Sequence, residues 1–483
     1  MLRSPNLEPP LVEYLSAQAI RDYPPYPWTG SPEPPLAVAR ARMRATGQWH
    51  QGQAMGRRWP IGCIALEITQ RCNLDCTLCY LSEHSEAVRD IPLGELFRRI
   101  DAIARLYGPD TDVQVTGGDP TLRKRSELVD IVARIRDRGM RASLFTNGIR
   151  LKRDLLEALI DAGLVDVAFH VDMTQGRRGY DTEADLNAVR LDYINRARGL
   201  PVSVFFNTTV FNGNLAEIAD VAAFFVRHSD VVRLASFQLQ AETGRGTERA
   251  RDARITMDEV GRRIETGAGA SVTFDAVSAG HAGCNRYAMT LVVNGAVYDL
   301  FDDRRFIANA LAHSAGLQFD RTRPRRALGA LAGWFLQNPR IWAAGAGWAL
   351  DKARIMSRDL VAARGRAHKL SFFIHDFMDA CRLEKDRVDA CAFMVATADG
   401  PVSMCLHNAK RDAFILRPVR LQNGNGMRFW HPLTGGLHED VPQVTPGALP
   451  PKARKGRAKL GPDKMGAAST AASAQKRRGR TEP

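Results

Sequence analysis

Long apolar runs are missing from this 483-residue chain. None reaches the roughly eighteen residues that a membrane-spanning helix needs. The opening segment, MLRSPNLEPPLVEYL, lacks the apolar stretch of a secretory leader, so no export is expected. Cysteine is sparse, at 8 residues, too few for a disulfide scaffold in a chain of this length. No internal repeat is visible. What is present is ordinary globular composition, 45% hydrophobic and 25% charged, which excludes wholesale disorder and a collagen-like fibre. The length suits two or three domains with a sizeable core. The expectation is a soluble, cytoplasmic protein.

Charge is unevenly spread. Lys and Arg number 67 against 53 Asp and Glu, a formal excess of +14. Residues 449–483 hold ten of the cations, between Lys452 and Arg480, against only Asp463 and Glu482. Large apolar residues nearly vanish there, so this segment reads as a disordered basic tail that cannot bury a core. Such a tail suits an anionic membrane or nonspecific polyanions, and no specific nucleic acid is expected.

Residues 1–60 read as an irregular extension, with a Pro-rich strap over 22–35. From Trp59 the pattern changes. Strands are expected at 61–69, 112–118, 141–148, 165–173, 202–210 and 232–240. Helices are expected between them: 93–108 on a stripe of Leu93, Leu96, Phe97, Ile100, Ile103 and Leu106, 126–139 capped by Ser126, and 154–163 ending at a Gly. Alternating strands and helices imply a parallel α/β sheet with its active site at the carboxyl ends of the strands. Residues 246–448 mix a helical stretch at 325–366 with strand-like pieces at 289–301 and 391–408, and read as an α+β region.

Immediately past the first strand, Cys72, Cys76 and Cys79 form C-x3-C-x2-C in QRCNLDCTLCY. Three buried small residues would be the plain reading, but Arg71, Asn73 and Asp75 make the segment polar and loop-like. Zinc is another, although zinc sites usually pair two C-x2-C units. Thiolates on a short loop also suit an iron–sulfur cluster, in which three ligands leave one iron open. This motif, on the loop after the first strand of a βα series, resembles the radical S-adenosylmethionine (SAM) superfamily.

That resemblance implies a partial (β/α)6 barrel over residues 61–245 and a [4Fe–4S] cluster on Cys72, Cys76 and Cys79. Gly117, Gly118, Asp119 and Pro120 match the segment that holds the SAM amino group, with Asp in place of the family's Glu. Tyr80, Asn147 and Asn207 match positions near the adenine, the third strand end and the ribose. The implied reaction is reductive cleavage of SAM, followed by hydrogen abstraction from an unactivated carbon, with reduced flavodoxin or ferredoxin as electron donor. No catalytic residue is assigned. His170, Asp172 and Gln175 at the fourth strand end read as substrate or SAM contacts.

Cys63 reads as a buried strand residue. Cys284, Cys381, Cys391 and Cys405 are loosely spaced, and spacing alone leaves a second cluster and scattered thiols equally open. FMDACRLEKDRVDACAFMVATADGPVSMCLHN (377–408) is similar to the C-terminal region of radical SAM enzymes related to tetraether lipid synthase and an archaeal pterin methylase. The resemblance implies an auxiliary [4Fe–4S] cluster on Cys284, Cys391 and Cys405, with Cys381 unplaced. It also implies C–C bond formation or alkylation of a small-molecule or lipid-like substrate. A peptide-modifying enzyme is the alternative, and a non-catalytic iron–sulfur protein binding nucleic acid through its tail is the third reading. RRALGALAGWFLQNPRIWAAGAGWAL (325–350), preceded by Arg321 and Arg323, carries Trp334, Trp342 and Trp348. It reads either as a helical hairpin with Trp in its core or as a peripheral membrane contact. No role is read for His407 or His438.

Overall fold

The computed structural model describes residues 12–28, 41, 44–45, 62–248, 251, 253–277, 279–314, 324–423 and 426–445. The basic tail and most of the N-terminal extension lie outside the described residues. Six strands form where apolar, β-branched runs call for them: β1 Cys63–Thr69, β2 Asp112–Gly117, β3 Arg141–Thr146, β4 Leu164–His170, β5 Ser203–Val210 and β6 Val232–Leu239. Each pairs in parallel with the next. Parallel neighbours need crossovers, and helices α1 Leu93–Tyr107, α2 Arg125–Asp137, α3 Arg153–Ala162, α4 Asn187–Ala197 and α5 Ile218–Arg227 supply them. In α1, Leu96, Ile100 and Ile103 are buried, the face read from their spacing. Helix α3 stops at Gly163, whose φ of 113° a side chain would strain. The expected Ser126 cap does not form. Helix α2 begins one residue earlier, at Arg125, with no side-chain cap, so Ser126 falls inside its first turn.

The residues beyond 245, expected as a separate α+β unit, build onto the same sheet. Helix α6 Met257–Ala268 leads to an antiparallel pair, β7 Asn285–Val293 and β8 Ala296–Asp299. Helices α7 Arg304–Ser314, α8 Pro324–Gln337 and α9 Pro339–Ala362 follow, and then β9 Ala367–Asp376, which pairs in parallel with β6. At the other end, β10 Phe393–Ala396 pairs in parallel with β1, and β11 Pro401–Ser403 folds back on it. Helices α10 Met404–Ala409 and α11 Arg411–Ile415 come next. The sheet has eleven strands in the order β11-β10-β1-β2-β3-β4-β5-β6-β9-β7-β8.

Eight of them, β10, β1–β6 and β9, therefore run in parallel, not the six of a partial barrel alone. Strand β9, LSFFIHD within AHKLSFFIHD, was not anticipated. The sheet curls until its ends meet: Phe373 and His375 of β9 contact Phe393 of β10, with ring centroids 6.0 and 4.6 Å apart. Hydrogen bonds do not close this seam, because β7 occupies the free edge of β9 and β11 that of β10. Trp28 pins the described part of the Pro-rich strap beside it, donating its indole N–H to Thr397 O at 3.0 Å.

Between sheet and helices lies one large apolar core, in which Phe206 stacks between Phe169 and Phe225. All three rings are fully buried. Phe206→Ala should cost about 3–5 kcal/mol of unfolding free energy, measured by urea denaturation with unchanged far-ultraviolet circular dichroism at zero denaturant.

Candidate functional site

The loop that follows β1 carries Cys72, Cys76 and Cys79, which pack with Leu74, Tyr80, Leu81 and Ile149. Its shape depends on the end of β2. Gly118 N–H donates to Thr69 O at 2.9 Å and Asp119 N–H to Arg71 O at 2.8 Å. A Cβ at Gly117 would lie 2.0 Å from Thr69 O, and one at Gly118 would lie 2.1 Å from Arg71 O. Only glycine allows that approach, and Gly117 also holds φ at 126°. From the turn after β4, Thr174 O accepts the Thr77 N–H at 2.8 Å, which fixes the far side of the loop.

All three thiols face a cavity of about 1520 Å³ that fills the barrel. Tyr80, Gly117, Gly118, Asn147 and Asn207 line it too. The Tyr80 hydroxyl donates to Gly117 O at 2.6 Å. The Asn147 amide donates to Asn73 Oδ1 at 2.6 Å and reaches Cys72 Sγ at 3.9 Å. Asp119 and Pro120 are placed differently from the expectation and do not line the cavity. The Asp119 carboxylate is fully buried and accepts from Thr121 N–H and Oγ1, Thr146 Oγ1 and Asn147 N–H. One methylene shorter than Glu, it is spent on joining β2 to β3, not on reaching into the cavity.

At the end of β4, His170 lines the cavity with its Nε2 held by Asp172 Oδ2 at 2.6 Å and Thr209 Oγ1 at 3.2 Å. Burial would lower its pKa, but the Asp172 carboxylate raises it above the ordinary imidazole value. Asp172 is itself buried and also accepts from Thr174 and Thr209. Gln175, which lines the cavity as well, donates to His170 O at 2.6 Å and accepts from Arg177 at 2.7 Å. Across the seam His375 faces the cavity, stacked on Phe377 at 3.8 Å, and burial takes its pKa down to about 3. That imidazole is neutral.

Donor chemistry decides what the three loop thiols can hold. Burial pushes Cys72 up to about 12 and raises Cys76 and Cys79, with neighbouring thiols adding to the rise at Cys72 and Cys76 and the Asp75 carboxylate adding to it at Cys79. Buried thiols that repel one another's charge become ligands when a cationic centre compensates them. Among the described residues no three His, Cys, Asp or Glu side chains are gathered as a single metal ion requires. Three thiols on one cavity wall are nonetheless the donor set of a [4Fe–4S] cluster, whose ligands are Cys thiolates. The three thiols fit that group.

A second trio assembles at the seam. Cys284 precedes β7, Cys391 precedes β10 and Cys405 opens α10, and each lies close enough to feel another's charge. Burial raises Cys284 to about 11, which Arg387 opposes by donating to its Sγ at 3.4 Å. Gly280 makes room, because a Cβ there would stand 2.5 Å from Ala390 O. Cys381 is exposed and outside this group, and Cys63 is buried in β1 as expected.

The Glu67–Arg411 pair escaped the sequence reading. Arg411 of α11 reaches back to β1, donating to Glu67 Oε1 at 2.8 Å and Oε2 at 2.9 Å, and lies 4.6 Å from the Tyr80 ring centroid. Burial alone would raise the Glu67 carboxyl, but Arg411, with His407 and Gln70, holds it at about 2. A depressed carboxylate stabilises the fold fully above its unfolded value of 4.5, and the stabilisation is lost as pH falls through 2. Glu67→Gln should therefore be the less stable chain at neutral pH. Its deficit against the parent should narrow by on the order of 2–3 kcal/mol between pH 5 and 2, read from urea midpoints of the metal-free proteins.

Comparison with known proteins fits this geometry. Residues 66–225 match the family model described as the Radical SAM superfamily. The chain is 28% identical over 207 residues to 7,8-dihydro-6-hydroxymethylpterin dimethyltransferase of Methanocaldococcus jannaschii, a match covering 41% of this chain and 40% of the relative. It is 30% identical over 163 residues to PqqA peptide cyclase of Rhodopseudomonas palustris, covering 33% of this chain and 42% of that one. The chain thus spans less than half the length of either relative. Among solved structures, SuiB of Streptococcus suis bound to precursor peptide SuiA is 14% identical with a TM-score of 0.34, covering 42% of this chain and 44% of that chain.

Proposed function

We propose, from the radical SAM domain at residues 66–225, that this protein is an enzyme that cleaves SAM reductively and abstracts hydrogen from an unactivated carbon of a lipid-like substrate. The observation that carries the reading is the convergence of Cys72, Cys76 and Cys79 on one cavity wall against Gly117–Gly118, at the carboxyl end of a parallel barrel. When bound there, a [4Fe–4S] cluster supplies the electron and the open iron on which SAM chelates. Reduced flavodoxin or ferredoxin is the expected electron donor.

This chain's own residues position and enclose. Gly117 and Gly118 offer bare backbone where the SAM amino group would lie, and Tyr80, Asn147 and Asn207 line the wall beside it. His170, oriented by Asp172, can hold or release a proton towards the cavity through its other ring nitrogen. Midway along the barrel one layer of the cavity wall is apolar, with Phe145, Ala168, Phe205 and Leu234, while nearer the amino ends of the strands Asp112, Arg141, Asp166 and Lys369 line it and Arg141 pairs with Asp112. The apolar layer lies next to the site and suits an unactivated carbon there, and the charged end suits a polar group of the same substrate. Alkylation or C–C bond formation is the favoured outcome, in keeping with a dimethyltransferase among the relatives. Modification of a peptide is the second reading, supported by the peptide cyclase among them.

Cys284, Cys391 and Cys405 would hold an auxiliary cluster, with Arg387 beside Cys284 offsetting the charge of its ligands. Cys76→Ala should abolish 5′-deoxyadenosine formation in anaerobic assays with dithionite and SAM. Cys405→Ala should leave the loop cluster in place and lower bound iron by about half, if both sites are four-iron clusters. Unchanged iron in the Cys405 variant would remove the auxiliary site. Absence of any cluster in the parent would favour a non-catalytic protein.

A further inference from the structure

We infer that the hairpin of α8 and α9 docks this protein on an anionic lipid bilayer. The docking does not rest on the substrate reading above.

Six of the eleven exposed large apolar side chains among the described residues fall on this hairpin: Leu331, Leu336, Trp342, Leu350, Ile355 and Val361. Leu336, Leu350 and Val361 are 68%, 70% and 80% exposed, far beyond what scattered surface apolar residues need. They are not left over from a poorly packed element, because the opposite side of the hairpin is well anchored. Trp348 stacks on Phe306 at 5.3 Å between ring centroids, and the two helices are joined to each other where Phe335 stacks on Trp342 at 6.3 Å. Ile341 and Met356 are buried, Lys352 donates to Asp299 O at 2.6 Å and pairs with Asp302, and Asp359 accepts from Asn294 at 3.0 Å. Gly345 lets the helices meet, since a Cβ there would lie 2.7 Å from Phe335. One face is fixed to the β7–β8 end of the sheet and the other faces outward.

The outward face has the pattern of an interfacial helix. Exposed Trp342, Ala346, Ala349, Leu350 and Ala353 fall at helical spacing on one side of α9, with Val361 continuing it a turn and more beyond. Exposed Arg354 and Arg358 border that strip, and exposed Arg326 lies on α8. Between Pro324 and Ala362 the only acids are Asp351 and Asp359, the latter engaged with Asn294 and Tyr298. Apolar side chains flanked by arginines complement acyl chains beneath anionic headgroups. No helix among the described residues is long and apolar enough to cross a membrane, so the contact would be peripheral.

The hairpin also touches the cavity. Leu331 of α8, with Leu311 and Ser314 of α7, lines it near Ala367 and Lys369, where β9 begins. This is the end of the barrel opposite the cysteine loop. Asp112, Arg141 and Asp166 line that end as well, so the hairpin borders a polar mouth of the cavity.

The test is sedimentation of the full-length protein with sucrose-loaded vesicles at about 0.15 M salt, the physiological ionic strength. Vesicles of phosphatidylcholine alone are compared with vesicles containing 30% phosphatidylglycerol (a chosen composition, roughly that of a moderately anionic leaflet). Binding should be at least about tenfold stronger to the anionic vesicles, and Leu350→Glu/Val361→Glu should weaken it by about tenfold or more without moving the thermal midpoint. Brominated lipid should quench tryptophan emission in the parent and less in Trp342→Phe. Three results would overturn the proposal: no binding; binding lost on charge reversal at Lys476, Arg477 and Arg478 but kept in the Leu350/Val361 variant; or a solution dimer of the parent that the same variant dissolves. All are read without SAM or substrate, so none bears on whether Cys76→Ala abolishes SAM cleavage.

Discussion

Two backbone hydrogen bonds between the end of β2 and the start of the cysteine loop, Gly118 to Thr69 and Asp119 to Arg71, govern the top of the barrel. A loop of polar residues carrying three thiols has little reason of its own to hold one shape. Here it is held because a neighbouring strand continues past its last ladder bond and pairs with it, at a distance that only two consecutive glycines permit. The Asp119 carboxylate then extends the same join to β3, through Thr146 and Asn147, and Asn147 returns to the loop through Asn73. Loop, second strand end and third strand end form one hydrogen-bonded ring around the thiols. The geometry of the site is thus a property of the backbone, with the side chains added to it.

This explains what was legible beforehand. The six core strands and their helices follow from periodicity and end signals, which are local, and all six strands form close to where the residues place them. The cysteine spacing and the GGDP segment are also local, so they could be read directly. Strand β9 was hidden by its place after a long helical stretch, although LSFFI has the continuous apolar character of a strand buried on both faces. The Asp119 role was misplaced because a sequence shows which carboxylate is near a site and not which donors reach it first.

Other parts could not have been read from local pattern at all. Glu67 and Arg411 lie at opposite ends of the chain and meet only because β10 and β11 bring α10 and α11 back over β1. The seam cysteines meet for a similar reason, carried by β7, β10 and α10. A buried guanidinium that spans two carboxylate oxygens and covers Tyr80 costs much to desolvate, and removing one partner alone leaves the other charged in a dry place. That makes the pair a poor source of net stability. It is a strong constraint on where α11 can sit, and therefore on the wall behind the cysteine loop.

The adjacency of β6 and β9 has a consequence for how this chain could diversify. The stretch between Leu239 and Ala367 departs from one barrel strand and returns to the strand beside it, adding β7 and β8 to the edge of the sheet on the way. An excursion whose two ends are already neighbours adds little to the entropy of closing it, however long it grows. The α8–α9 hairpin is carried on that excursion, so its length and surface can be exchanged without disturbing the register of a single barrel strand. The chemistry at the thiols and the surface on which the protein works are, in this architecture, separately adjustable.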